Sequence, residues 1–569
     1  MTNYSNMAWL GWVLVVLLYV SSPASGLPTC DGRPPIATTK NGTLRGLYLS
    51  EFHEDLFLGV PFAQPPLGDL RLRHPVSLNE SWHGVRNATK RSFTCPGYAG
   101  FDKGLDLGED CLTVDIVRPA GVRADAELPV YVWIYGGGYT AGGSADPRYN
   151  TSYLVNASVS IGKPIIAVSI NYRVGGWGFL ASKEMQKDGS LNIGLFDQRL
   201  ALRWIQENIQ GFGGDPRKVT IAGESAGAFS VGYHLVGFGG DNENLFRAAI
   251  MQSGSALGPA IQRVAGDYQD IYNNVSETTG CSKHKETLQC LRHVKYETLF
   301  KAFAPFVVTP VLDGKFLTQL PSISFKKKQV AKAAILIGSN TDEGTATFFG
   351  PRGTLNTDKD VAKYLSGMGS GLDTKTVRNL MQLYPDDPAQ GCPFDTGEER
   401  FEQNGKQYKR GAAIAGDYVI HAGRRATTQY FTSLSHRHQQ PVYSYRFDQA
   451  PWDDKEELVA TEAPVSSTHY AEICFVFNQE PSASRKNSNW IGPHPEYYEL
   501  SKLMSQSFIS FVHDLDPNHH GIKGAPRWPE YGQGHENLVF KVNHSWIEKD
   551  DWRKPQLEYW EKIWTKLET

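Results

Sequence analysis

Several things are scarce in this 569-residue chain, and each scarcity removes a class of function. Charge of one sign is nearly absent: 57 Lys and Arg face 60 Asp and Glu, a net charge of −3, so there is no electrostatic footprint for nucleic acid or for an anionic membrane. Long apolar runs are missing after the N-terminus, and no later stretch reaches the roughly 20 residues that a membrane span requires. Only seven cysteines occur, none paired with histidines at zinc-site spacing, which leaves a metal site without support. No Gly-Lys-Ser/Thr follows the glycine-rich stretches, so a Walker-type phosphate loop is excluded. Linkers rich in Pro and Ser, charge runs and repeats are also lacking. The length alone would suggest three or four domains, but without such boundaries a single large core with insertions fits better.

The first 26 residues read as a secretory signal. Ala8 to Val20 is an uncharged apolar run, too short for a span, and Ser21-Ser22-Pro23-Ala24-Ser25-Gly26 offers small residues for cleavage. Positions 1–7 carry no Lys or Arg, so the amino terminus supplies the only positive charge there. The expected organisation is a signal peptide at 1–26 and one catalytic domain at 27–569, secreted and without a stable membrane anchor. In an extracellular chain the Asn-x-Ser/Thr sites at Asn41, Asn79, Asn87, Asn150, Asn156, Asn274 and Asn543 become expected glycosylation positions. Cys95 and Cys111 enclose one short segment and Cys281 and Cys290 another, spans that suit local bridges in an oxidising compartment. Cys30, Cys392 and Cys474 are left over; Cys474 lies in an apolar run and reads as a buried thiol.

What the chain does contain is a strand-like run, Lys218-Val219-Thr220-Ile221-Ala222, entering Gly223-Glu224-Ser225-Ala226-Gly227 and then a small-residue helix start. This is the context of a nucleophile elbow. Gly223 and Gly227 remove Cβ atoms where strand and helix cross, and the backbone N–H of Ala226 is aimed at a developing oxyanion. A second strand, Leu128 to Tyr135, is almost continuously apolar and ends in Gly136-Gly137-Gly138, where bare backbone can supply the other oxyanion donors. Between them, Leu195 to Ile209 has helical spacing and should cross over between parallel strands. Later strands at 247–251, 333–338, 442–447 and 538–540 continue an α/β pattern with a mostly parallel sheet. Two local expectations accompany this: Gly59 to Pro75 reads as irregular surface structure, and 109–117 ends as an alternating strand.

In such a sheet, reactive groups belong at the carboxyl ends of strands. A serine hydroxyl needs an imidazole to take its proton, and the imidazole needs a carboxylate on its other nitrogen. Asp342 and Glu343 follow the strand at 333–338, and composition does not separate them. His469 sits in a polar loop, Val465 to Glu472, ahead of an apolar run, giving the order serine, acid, histidine of an α/β-hydrolase. His519-His520 and His436-x-His438 lie in polar stretches that resemble solvated loops, and His74 and His83 precede the elbow. Glu224 is tied to the elbow, cannot reach the outer nitrogen of the histidine, and takes a structural, hydrogen-bonding role. Ser253 is a rival serine without the glycine frame.

Together with Glu109-Asp110-Cys111-Leu112-Thr113, Tyr135 to Tyr139, Asn171-Tyr172-Arg173-Val174-Gly175, Phe212-Gly213-Gly214-Asp215-Pro216 and Asp342-Glu343-Gly344, the elbow resembles the type-B carboxylesterase family, which includes cholinesterases and a group of fungal lipases. Tyr384-Pro385-Asp386-Asp387-Pro388 and the region Asn518 to Tyr531 look most like its secreted fungal branch. The resemblance implies an α/β-hydrolase fold with large insertions, and an ester hydrolase that needs no metal or organic cofactor. It selects Glu343 as the acid, places oxyanion donors at Gly137, Gly138 and Ala226, and implies bridges Cys95–Cys111 and Cys281–Cys290. Two departures bear on the substrate. Pro96 to Asp110 contains no Trp to face a quaternary ammonium, and it is too short and too broken by glycine to form an amphipathic lid helix. Soluble or short-chain esters are therefore expected as substrates; Tyr139, Trp177 and Phe229 are candidates for aromatic lining and equally for simple core.

Overall fold

The computed structural model describes residues 34–567 apart from 99–103, 260–263, 347–348, 350–351, 370, 439, 453–465 and 480–490. The expected signal peptide and Cys30 lie outside the described residues.

Eleven strands form the main sheet. In chain order they are β1 (Leu47–Leu49), β2 (Glu54–Pro61), β3 (Thr113–Pro119), β4 (Leu128–Ile134), β5 (Ile166–Ile170), β6 (Gly214–Glu224), β7 (Ala248–Gln252), β8 (Ala334–Asn340), β9 (Val442–Phe447), β10 (Glu536–Phe540) and β11 (Trp546–Lys549). Their spatial order is β11-β10-β9-β8-β7-β6-β4-β5-β3-β2-β1. From β5 through β4 to β10 all neighbours are parallel; β1, β2, β3 and β11 add antiparallel edges. The central strands are covered on both faces, which explains the unbroken Val-Tyr-Val-Trp-Ile of β4: every one of these side chains is buried. Helix α1 (Ile193–Asn208) is the crossover expected between β5 and β6. Leu195, Leu202 and Ile205 face the core, while Arg203 and Glu207 stay in solvent.

β4 has β5 on one side and β6 on the other, so the chain reverses direction across the sheet at this point. The carboxyl ends of β4 and β6 therefore open a crevice at the switch point, where α/β sheets bind their ligands. A separate small sheet of Ile36–Thr39, Gly42–Arg45 and Val85–Asn87 lies apart from it.

Two local expectations are corrected. β3 does not alternate: all seven residues are buried. Asp115, the charge within that alternation, is buried and held by Arg91 at 3.1 Å and by the Gly59 N–H at 2.8 Å. The segment 59–75 is not simply surface either, since Gly59 to Pro61 complete β2 and Phe62, Ala63 and Leu72 enter the core. Proline punctuation there marks bends in a chain that remains packed.

Candidate active site

β6 ends at Glu224, Ser225 takes φ 54°, ψ −125°, and α2 (Ala226–Val236) begins at the next residue. A non-glycine residue in that region is strained, and here the surroundings hold it: its N–H donates to the Gln252 carbonyl at 2.9 Å, and its own carbonyl accepts from Phe229. The glycine frame is sterically required. A Cβ on Gly227 would stand 2.0 Å from the Ile134 carbonyl oxygen, and one on Gly223 would stand 2.5 Å from the backbone of Gly227. Beyond β4, Gly137 (φ 96°) and Gly138 (φ 62°) turn through conformations that side chains disfavour. Among the described residues neither glycine's N–H, nor that of Ala226, donates within the protein, so all three stay available to a ligand oxygen.

The histidine and the acid arrive from the far side of the sheet. Glu343 lies three residues past β8, with its Oε1 accepting from the Asn340 N–H at 2.8 Å. Its Oε2 is 2.6 Å from Nδ1 of His469. Asp342 points elsewhere, its Oδ1 accepting from the Phe394 N–H at 2.8 Å and from the Cys392 thiol. The adjacent carboxylates that composition leaves equivalent are thus separated by direction. An isolated parallel bridge between Asp342 and Thr468 ties the acid loop to the histidine loop.

Glu224 reaches further than its sequence position implies. It does not touch Nδ1, but its Oε1 is 3.0 Å from Nε2 of His469, because the nitrogen facing the elbow is the inner one. A third carboxylate, Glu472, is held by Asn340 at 2.7 Å on the same side chain that binds the Thr468 carbonyl. Burial disfavours the imidazolium, yet the carboxylates of Glu224 and Glu343 outweigh it and raise His469 to about 9. Burial also pushes the carboxyls of Glu224 and Glu472 up.

These elements border one cavity of about 420 Å³ whose walls include Gly136, Gly137, Gly138, Glu224, Ser225 and His469. Helix N-terminal donors, a strained serine, an imidazole and a carboxylate at the carboxyl ends of a parallel sheet are the components of acyl transfer. A family model described as the carboxylesterase family matches residues 33–560. The chain belongs to the carboxylesterase family. It is 37% identical over 550 residues to Lipase 4 of Diutina rugosa, covering 90% of this chain and 92% of that protein. It is 35% identical to Secreted lipase 1 of Botryotinia fuckeliana, covering 89% of each. Among solved structures it is similar to Aspergillus niger EstA, with a TM-score of 0.81 and 27% identity over 94% of this chain and 99% of that one. The α/β-hydrolase architecture is that of this carboxylesterase family, and carboxylic ester hydrolysis is its chemistry.

Other positions singled out in the sequence fall as follows. Disulfides join Cys95 to Cys111 and Cys281 to Cys290. Asn79, Asn87, Asn156, Asn274 and Asn543 are exposed, whereas Asn41 and Asn150 are half-buried, Asn150 capping the helix Thr151–Ser160. Ser253 is buried at the end of β7, away from the cavity walls. His520 is buried, not solvated, and accepts from the Ile522 N–H at 3.1 Å. Tyr139, Trp177 and Phe229 are core residues and do not line the cavity. Its aromatic walls are Tyr149, Phe349 and Tyr470, with Arg148 and Val307 beside them. Tyr149 and Phe349 carry no local signature, because a cavity wall assembled from separate loops leaves no periodicity to read.

Proposed function

We propose that this carboxylesterase-family chain is a secreted serine esterase that works through an acyl-enzyme. Ser225 attacks the ester carbonyl while His469, as general base, removes its proton. The tetrahedral oxyanion is stabilised by the N–H groups of Gly137, Gly138 and Ala226. His469 then returns the proton to the leaving alcohol and next activates water, which releases the acid and restores the serine. Glu343 fixes the imidazole tautomer and orientation. The observation that carries this reading is the 2.6 Å contact between Glu343 and Nδ1 of an imidazole whose other nitrogen meets the elbow. Turnover of a soluble ester should fall roughly 10³-fold or more in Ser225→Ala. Near-normal turnover in a clean preparation would reject the assignment.

Soluble or short-chain esters are the preferred substrates in this reading. The cavity walls include the rings of Tyr149, Phe349 and Tyr470, and the described parts of the 96–110 segment, 96–98 and 104–110, contain no helix to serve as a lid. The names of relatives in this family favour a second reading, a lipase acting on insoluble triglyceride. A marked rate increase above the solubility limit of a triglyceride would select it. Entry to the secretory pathway through residues 1–26, with glycans at the seven sequons and one catalytic domain over 27–569, completes the proposal.

A further inference from the structure

Tyr470 follows His469 directly, lines the cavity, and has φ 77°. A tyrosine in left-handed backbone is strained where a glycine would be relaxed, and such strain persists only if the surroundings enforce it. They do. The guanidinium of Arg148 lies 5.0 Å from the Tyr470 ring centroid, and the Tyr149 ring meets Tyr470 edge-on at 6.1 Å. Arg148 is itself immobilised: its Nη2 is 2.5 Å from Asp146 Oδ2 and its Nε binds both oxygens of the same carboxylate. The carboxamide of Gln479 also holds the carbonyls of Pro147 and Arg148. The ring is thus a packed part of the cavity wall, set against an anchored guanidinium.

Its side of the cavity follows from the chemistry proposed above. The ester's carbonyl oxygen must face Gly137, Gly138 and Ala226, and its leaving oxygen must face the imidazole that protonates it. Tyr470 is covalently next to that imidazole. Arg148 and Tyr149 line the same cavity as Glu224, the carboxylate 3.0 Å from Nε2. All three wall residues therefore stand beside the leaving group.

We propose that Tyr470, pinned by Arg148 and Tyr149, is a specificity-determining residue that limits the size of the alcohol half of the ester. Substrates are then esters of small alcohols, and the backbone strain at position 470 is retained because a side chain is needed there. The inference rests on the reading of Ser225 and His469 as nucleophile and base.

The test uses butanoate esters of ethanol and benzyl alcohol, together with ethyl esters of increasing acyl length, on the full chain. The wild type should turn over the ethyl ester with the higher kcat/KM. Tyr470→Gly, which suits the left-handed backbone and removes the ring, should raise the benzyl-to-ethyl ratio of kcat/KM at least ~10-fold. Tyr470→Asn, which tolerates the same backbone, provides a second small side chain should the glycine variant not fold. Tyr470→Phe keeps the ring and should stay within about 3-fold of the wild-type ratio, the range of a minor contact. The acyl series should keep its wild-type profile in every variant. A wild type that favours the benzyl ester, an unchanged ratio in the small variants, or a shift in the acyl series instead would overturn the proposal. Labelling of Ser225 by a fluorophosphonate is read in parallel; its absence in the wild type would reject the nucleophile assignment independently of the wall.

Discussion

The two halves of the site are made differently. The nucleophile half consists of backbone: three N–H groups, a serine in a strained turn, and Gly137, Gly223 and Gly227 placed where a Cβ would collide. The histidine half consists of side chains: one imidazole among Glu224, Glu343 and Glu472, gathered from the ends of β6 and β8 and from the loop beyond β9. The first half is rigid by covalent geometry and tolerates almost no substitution. The second is set by charge and hydrogen bonding, so its substitutions should change rates and pH dependence more than they change the fold.

The largest effect expected within this contrast, after Ser225→Ala, is from Glu343→Gln. Loss of the carboxylate at Nδ1 should lower kcat roughly 10²- to 10⁴-fold while thermal stability changes little, as steady-state kinetics and a melting curve would register. Retained kcat would break the comparison from the histidine side. On the nucleophile side, Gly227→Ala forces a Cβ to 2.0 Å from the Ile134 carbonyl, so the variant should lose soluble, folded enzyme or melt many degrees lower. A normal melting curve would show that strand and helix can separate there.

Next in size is a pH effect. With His469 raised to about 9, the neutral base that attack requires increases as pH rises, so log kcat/KM should climb through neutral pH and level off near that value. Glu224→Gln removes one of the carboxylates responsible and should move the rising limb to lower pH. An unmoved limb would mean that Glu224 does not act on the imidazole. The corresponding stability term has a definite sign. Because the folded value lies above the ordinary 6.5, the favourable charge on His469 is fully present below 6.5 and is lost as pH rises through about 9. The smallest effect is local: Cys392→Ser, which replaces a thiol donating to Asp342, should alter kcat less than about 3-fold, since Asp342 faces away from His469.

The same contrast explains what could be read from the sequence. Backbone requirements are encoded in residue type at fixed spacing, so Gly223-x-Ser225-x-Gly227 and the glycines after β4 announce their half directly, as does the apolar run of β4. The contact between His469 and Glu343 joins residues more than a hundred positions apart, and only chain order and the family resemblance pointed to it. Glu224 was legible as part of the elbow but not as a partner of Nε2, because that depends on which edge of the imidazole turns inward. Asp115 of β3 misled because alternation cannot distinguish a solvent-facing carboxylate from a buried one held by hydrogen bonds. The sequence left the choice between aromatic lining and core open for a related reason. Tyr139, Trp177 and Phe229 lie near the motifs in sequence but pack into the core, while Tyr149, Phe349 and Tyr470 reach the cavity from loops whose course only tertiary structure determines.

The most direct test of the account is to react the purified chain with a fluorophosphonate and map the modified residue by peptide mass spectrometry. The account predicts one adduct, on Ser225, formed at a rate that collapses in His469→Ala. An adduct on Ser253 or another serine, or labelling of Ser225 that proceeds unchanged without His469, would contradict it.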